Sequence, residues 1–123
     1  KSLDVGGFQS DYAAYQKSTS YLLLEDYNNA IESFNYLLTN FPNSNYIDDA
    51  IFDLGNIYIL TQNFQYAVSS FNRIAKEFPN SLFFGMSKLK LGLVFYMQKK
   101  DEQAIEILKN VLVEFPKSNI SSF

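Results

Sequence analysis

The chain has 123 residues, 47% of them apolar, with 12 Phe and 9 Tyr, which is enough for one packed core and excludes wholesale disorder. It has no Cys and no His, which excludes disulfides, thiolate catalysis and cysteine-bound zinc and removes the commonest metal ligand and general base near neutral pH. Its net charge of −3 is distributed as 0 over residues 1–10, −5 over 11–80 and +2 over 81–123, and an acidic chain without a basic stripe is a poor nucleic-acid binder.

Residues 1–10, KSLDVGGFQS, lack the apolar core of a signal peptide and are read as a flexible extension. Nor does any apolar run approach the ~18 residues of a membrane span. The chain is therefore either cytoplasmic or a mature or trimmed piece of an exported protein. Apolar residues at helical spacing then predict helices over 11–24 and 27–41, separated by the polar break Glu25-Asp26. SYLLLE within the first could pass for a strand, but it lies in register with two later helical copies. Those copies predict helices over 46–61 and 64–78 around Gln62-Asn63, and over 83–98 and 101–115 around Lys99-Lys100.

The helix ends have sequence signals. Asp26 and Asn63 suit N-cap positions. Asp48 and Asp49 fall in a first turn, where the macrodipole favours negative charge. Each second helix runs into Phe-Pro, at Phe41-Pro42-Asn43-Ser44, Phe78-Pro79-Asn80-Ser81 and Phe115-Pro116-Lys117-Ser118. Proline disfavours helix at the residue before it and cannot donate the next bond, so the helix stops there. The Asn or Ser that follows can cap the next one.

These stops recur every 37 residues, and so do Ala30, Ala67 and Ala104, where two helices are expected to approach closely. Ser18, Gly55 and Gly92 keep the same interval. A glycine inside a helix costs roughly 1 kcal/mol against alanine, so its repetition implies a place where a side chain would clash. A fixed period of this length marks a repeat array. The expected fold is all-α: three antiparallel helix pairs, in units 11–44, 45–81 and 82–118, stacked as a short right-handed superhelix, with a tail at 119–123.

The spacing resembles the tetratricopeptide repeat. Unit two matches its pattern as Ile51, Leu54-Gly55, Tyr58, Ala67, Phe71 and Pro79, unit three as Lys88, Leu91-Gly92, Phe95, Ala104, Leu108 and Pro116. Unit one, with Ala14, Lys17-Ser18, Tyr21, Ala30, Phe34 and Pro42, departs furthest. The period exceeds the usual 34 residues by three, all between the Pro and the next first helix. That connector, with its Pro-x-Ser, resembles repeats of bacterial envelope proteins. The stretches Tyr12–Tyr15 and Asp26–Ile31 are most similar to the periplasmic Tol-Pal-associated cell-division coordinators, and the outer-membrane assembly lipoproteins of the β-barrel insertion machine are the alternative. The resemblance implies a binding scaffold that is periplasmic or outer-membrane-associated. Its partners would belong to the Tol system and its peptidoglycan-synthesis client.

In such an array the first helices line a concave face. Counting from Ser18, Gly55 and Gly92, unit one offers Tyr12, Tyr15, Thr19 and Leu22. Unit two offers Asp49, Phe52, Asp53, Asn56 and Ile59. Unit three offers Met86, Leu89, Lys90, Leu93 and Tyr96. The expected groove is aromatic and aliphatic, acidic in the middle and basic at one end, and it would take a protein or peptide segment. Tyr12, Tyr15 and Phe52 could instead pack between neighbouring helices; as groove residues, Tyr15 and Phe52 should be replaceable without loss of fold. The carboxylates of Asp48, Asp49 and Asp53 read first as capping groups on a solvated face, then as a partner-binding patch. Lys88, Lys90, Lys99 and Lys100 read as solubilising charge.

The last helix carries Ile105, Ile107, Leu108, Val111, Leu112, Val113 and Phe115, too many apolar residues for one stripe. The surplus must be covered by the tail with Ile120 and Phe123, by a partner, or by a second copy of the chain through Ile107, Val111 and Phe115. No enzyme chemistry is legible: there is no phosphate-binding loop, no defensible carboxylate pair, and no cofactor or metal site is expected.

Overall fold

The computed structural model describes residues 10–114. Residues 1–9 of the extension expected at 1–10, the tail, and Phe115 with its Pro-Lys-Ser sequence lie outside the described residues, whereas Ser10 is the N-cap of the first helix, its hydroxyl accepting from the Ala13 N–H. Six α-helices follow one another: α1 (Asp11–Leu23), α2 (Tyr27–Asn40), α3 (Ile47–Leu60), α4 (Phe64–Glu77), α5 (Phe84–Met97) and α6 (Asp101–Glu114), with no strand among the described residues. The SYLLLE segment is helical up to Leu23. Each helix packs on the next in sequence, so α1/α2, α3/α4 and α5/α6 form pairs that stack in order into an all-α array.

The turn inside each pair is built the same way three times. Glu25, Gln62 and Lys99 take left-handed backbone conformations with φ of 59°, 62° and 63°. The Glu25 N–H then donates to the Leu22 carbonyl and the Asp26 N–H to the Tyr21 carbonyl, each at 2.9 Å, closing the end of α1. Gln62-Asn63 and Lys99-Lys100 repeat that pair of bonds. Asp26 doubles as the N-cap of α2, its carboxylate accepting from the Asn29 N–H. Asn63 holds the corresponding position but does not cap: its side-chain amide donates to Thr61 Oγ1 at 2.9 Å.

Between pairs, Phe41 and Phe78 leave the helical region ahead of their prolines, with φ of −133° and −130°. The serines that follow do not cap the next helices, whose N-cap residues are Tyr46 and Phe83, without a side-chain cap. Ser44 Oγ instead accepts from the Tyr46 N–H at 3.0 Å and donates to Asp11 Oδ2 at 2.6 Å. Ser81 repeats this with Phe83 and Asp48. Each serine thus ties the connector to the first turn of the helix pair just completed.

The core runs along the stack. Ala30, Ala67 and Ala104 are buried, with Phe34 and Phe71 fully enclosed. A Cβ on Gly55 would stand 2.5 Å from Phe71 Cζ, and one on Gly92 would stand 2.7 Å from Leu108 Cδ2. The repeated small residue therefore makes room for the second helix of its own pair. In the first pair Ser18 takes the position, buried, its hydroxyl donating to the Ala14 carbonyl at 2.9 Å.

Candidate functional site

The first-helix positions of units one and two serve two purposes. Tyr15 is half-buried; its ring stacks on Tyr46 at 5.0 Å and meets Phe34 edge-on at 6.1 Å. Phe52 repeats the arrangement, stacked on Phe83 at 4.6 Å and edge-on to Phe71 at 5.6 Å. These rings hold one pair against the next while keeping an edge in solvent. Tyr12 is exposed and tilts over Tyr46 at 5.8 Å. Thr19 donates its hydroxyl to the Gln16 carbonyl at 2.9 Å, and Leu22 and Ile59 pack partly into the core.

Asp49, Asp53 and Asn56 stand at i, i+4 and i+7, on one face of α3. The Tyr15 hydroxyl crosses from α1 and donates to Asp53 Oδ2 at 3.1 Å. Burial pushes the Asp53 carboxyl up to about 6; the Tyr15 hydrogen bond pulls the other way and the charge of Asp49 adds to the rise. Asp49 is also raised, by burial and then by Asp48, and Tyr15 is raised by burial and by Asp53. Asn56 Oδ1 is buried and has no hydrogen-bond donor among the described residues. Asp48 and Asp53 are thus not the solvated carboxylates expected: the first binds Ser81, and the second is half-buried under Tyr15. The face offers the carboxylate oxygens of Asp49 and Asp53 and the Asn56 carbonyl oxygen as acceptors, against the Asn56 amide as donor, so its chemistry suits a ligand rich in donors. Among the described residues no group of three or more acidic, His or Cys side chains could hold a metal ion.

In unit three the five expected positions, Met86, Leu89, Lys90, Leu93 and Tyr96, come together with Gly92 and Leu108 around an open groove of about 470 Å³. Met86, Leu89, Leu93 and Tyr96 are 43–66% exposed. By repeat position Leu89 corresponds to Tyr15 and Phe52, the residues that units one and two press against the following pair. The apolar groove is therefore also the outer face of the last described pair.

Two expectations are corrected here. Val111 is buried and Ile107 is half-buried against the core under α5, because the inward stripe of α6 runs through Ala104, Ile107 and Val111; Val111 is not free to meet a second copy, Ile107 is only in part, and Phe115 lies outside the described residues. The exposed apolar residues of α6 are Ile105, Leu112 and Val113. Lys88 is no free surface charge: its Nζ lies 2.8 Å from Glu114 Oε1 and 4.8 Å above the centre of the Phe84 ring. The serine–aspartate ties were missed, although Asp11/Ser44 and Asp48/Ser81 share one separation of 33 residues.

A family model described as tetratricopeptide repeat matches residues 12–44, 49–81 and 87–118, one match to each helix pair. No curated protein matches the chain. The chain belongs to the tetratricopeptide-repeat family, whose repeats mediate protein–protein interaction, and no described helix is long and apolar enough to cross a membrane.

Proposed function

We propose that this tetratricopeptide-repeat chain is a non-catalytic scaffold of the bacterial cell envelope that holds a partner segment along its first helices, centred on Tyr12, Asp49, Asp53 and Asn56. The observation that carries this reading is the buried, unpartnered Asn56 Oδ1 on the same helix face as two carboxylates. A buried acceptor without a donor costs about 1–3 kcal/mol, and turning the Asn56 amide outward toward a partner's backbone N–H groups or Lys or Arg side chain recovers it. The net charge of −5 over residues 11–80 would steer a basic segment to this region. Met86 and Lys90 extend the face toward the third unit.

The envelope setting rests on the sequence: the 37-residue period, its Pro-x-Ser connector, and the similarity of Tyr12–Tyr15 and Asp26–Ile31 to the Tol-Pal-associated cell-division coordinators. The protein would then be periplasmic or outer-membrane-associated and act where the Tol system meets peptidoglycan synthesis. A photo-crosslinking residue at position 12, used in cells, tests both halves of the proposal. Adducts with Tol or peptidoglycan-synthesis components, lost on Asp49→Asn/Asn56→Ala substitution, are expected. Adducts with the β-barrel insertion machinery would move the protein to the assembly lipoproteins. Fractionation with the cytoplasm, or adducts indifferent to the double substitution, would overturn the setting or the site respectively.

A further inference from the structure

The outer face formed by Leu89, Leu93, Tyr96 and Leu108 is built like the two internal faces that the following pairs cover. At the first junction Tyr46 stacks on Tyr15, and at the second Phe83 stacks on Phe52. In both, the covering residue lies 31 positions after the residue it covers and six after the last residue of the second helix, Asn40 or Glu77. Counting the same six positions from Glu114, the end of α6, reaches Ile120, which lies 31 positions after Leu89. The connector also opens in the same way, with Phe115-Pro116 where Phe41-Pro42 and Phe78-Pro79 stand. One part is missing. Asp11 and Asp48 receive the serine hydroxyls of the internal connectors, but the corresponding residue is Gly85, which offers Ser118 no carboxylate.

We propose that residues 118–123 of the chain itself dock on this outer face, with Ile120 seated on Leu89 and held by apolar contact alone. The docking continues the register of the two internal junctions and goes beyond the partner-binding proposal. It assigns the apolar outer face to the chain's own C-terminal segment and leaves the polar face of α3 to a partner.

The chain has no Cys, so a crosslink reports position without background. The full chain carrying Leu89→Cys and Ile120→Cys is oxidised under mild conditions, and the products are sized without reductant and weighed. A disulfide-closed monomer in most of the protein is the expected result, with Tyr66→Cys/Ile120→Cys remaining open. Disulfide-linked dimers as the main product would give the face to a second copy and overturn the proposal. Two free, reactive thiols in a protein of unchanged helicity would overturn it as well. A second variant avoids crosslinking: Ile120→Ser should lower Tm by a few degrees. An unchanged Tm would count against docking.

Discussion

The hydroxyl of Tyr15 donates a 3.1 Å hydrogen bond to Asp53, linking the first helix of one pair to the first helix of the next. The bond lies beside stacked and edge-on rings, and burial of the carboxyl, which the bond only partly offsets, makes Asp53 hard to ionise.

Stability should therefore fall as pH rises through the range set by Asp53. Its carboxyl titrates near 3.8 in the unfolded chain and at about 6 in the fold, so the folded state binds the proton more tightly. The destabilisation is absent below the lower value, grows between the two and is complete above the higher one. Because Asp53 is only half-buried, solvent screening holds the effect to about 1–2 kcal/mol. Thermal melts at pH 5 and pH 7 should show a higher Tm at the lower pH, and Asp53→Asn should remove most of the difference. An unchanged slope in that variant would place the origin elsewhere.

Phe52→Ala should destabilise by about 2–4 kcal/mol and Tyr15→Ala by somewhat less, because each ring fills the junction between two pairs. This reverses the expectation that the rings could be removed without loss of fold. Denaturant midpoints read the cost. Tyr15→Phe keeps the stacking, loses the bond to Asp53, and should cost about 1 kcal/mol. Wild-type midpoints for both alanine variants would show that the junctions do not depend on these rings.

Gly55→Ala should destabilise by about 1–3 kcal/mol even though alanine is the better helix former. The new methyl would meet the rigid ring of Phe71, at 2.5 Å from Cζ. Gly92→Ala should cost less, since the obstacle is the flexible end of Leu108. Equal losses at the two sites would show that backbone conformation, rather than the facing side chain, decides the outcome.

The helix pattern was legible because it depends on local chemistry that repeats. The Phe-Pro stops, the polar breaks and the apolar spacing fix the helix boundaries to within about a residue. Gly55 and Gly92 announced their close approaches for the same reason. Ser44 and Ser81 were read as local caps, whereas their partners are aspartates 33 residues earlier, a relation that no helical period exposes. Asp53 looked solvated because its partner, the Tyr15 hydroxyl, belongs to another pair, and its half-burial at that junction leaves no mark in the spacing of its own helix. The left-handed residues Glu25, Gln62 and Lys99 were hidden because none is the glycine that usually marks that conformation.

Ser81→Ala and Asp48→Ala should each cost about 1–2 kcal/mol, and the double variant should cost little more than either alone. The hydroxyl and the carboxylate share one bond, so removing either removes it. Full additivity in urea denaturation would mean that the two side chains act independently, and the tie between connector and helix would have no energetic standing.

The unequal enclosure of the helices sets a direction for unravelling. Six residues of α3 are buried, from Ile47 to Ile57, but only two on each outer helix, Ala14 and Ser18 on α1 and Ala104 and Val111 on α6. In a stack where each pair leans only on its neighbours, opening begins where fewest contacts must be broken. Amide protection would therefore decline from the middle of the chain toward both α1 and α6. The outer helices could come apart and reseal while α3 stays packed, so Asp49, Asp53 and Asn56 keep their places on one face even while the Tyr15 bond to Asp53 is open.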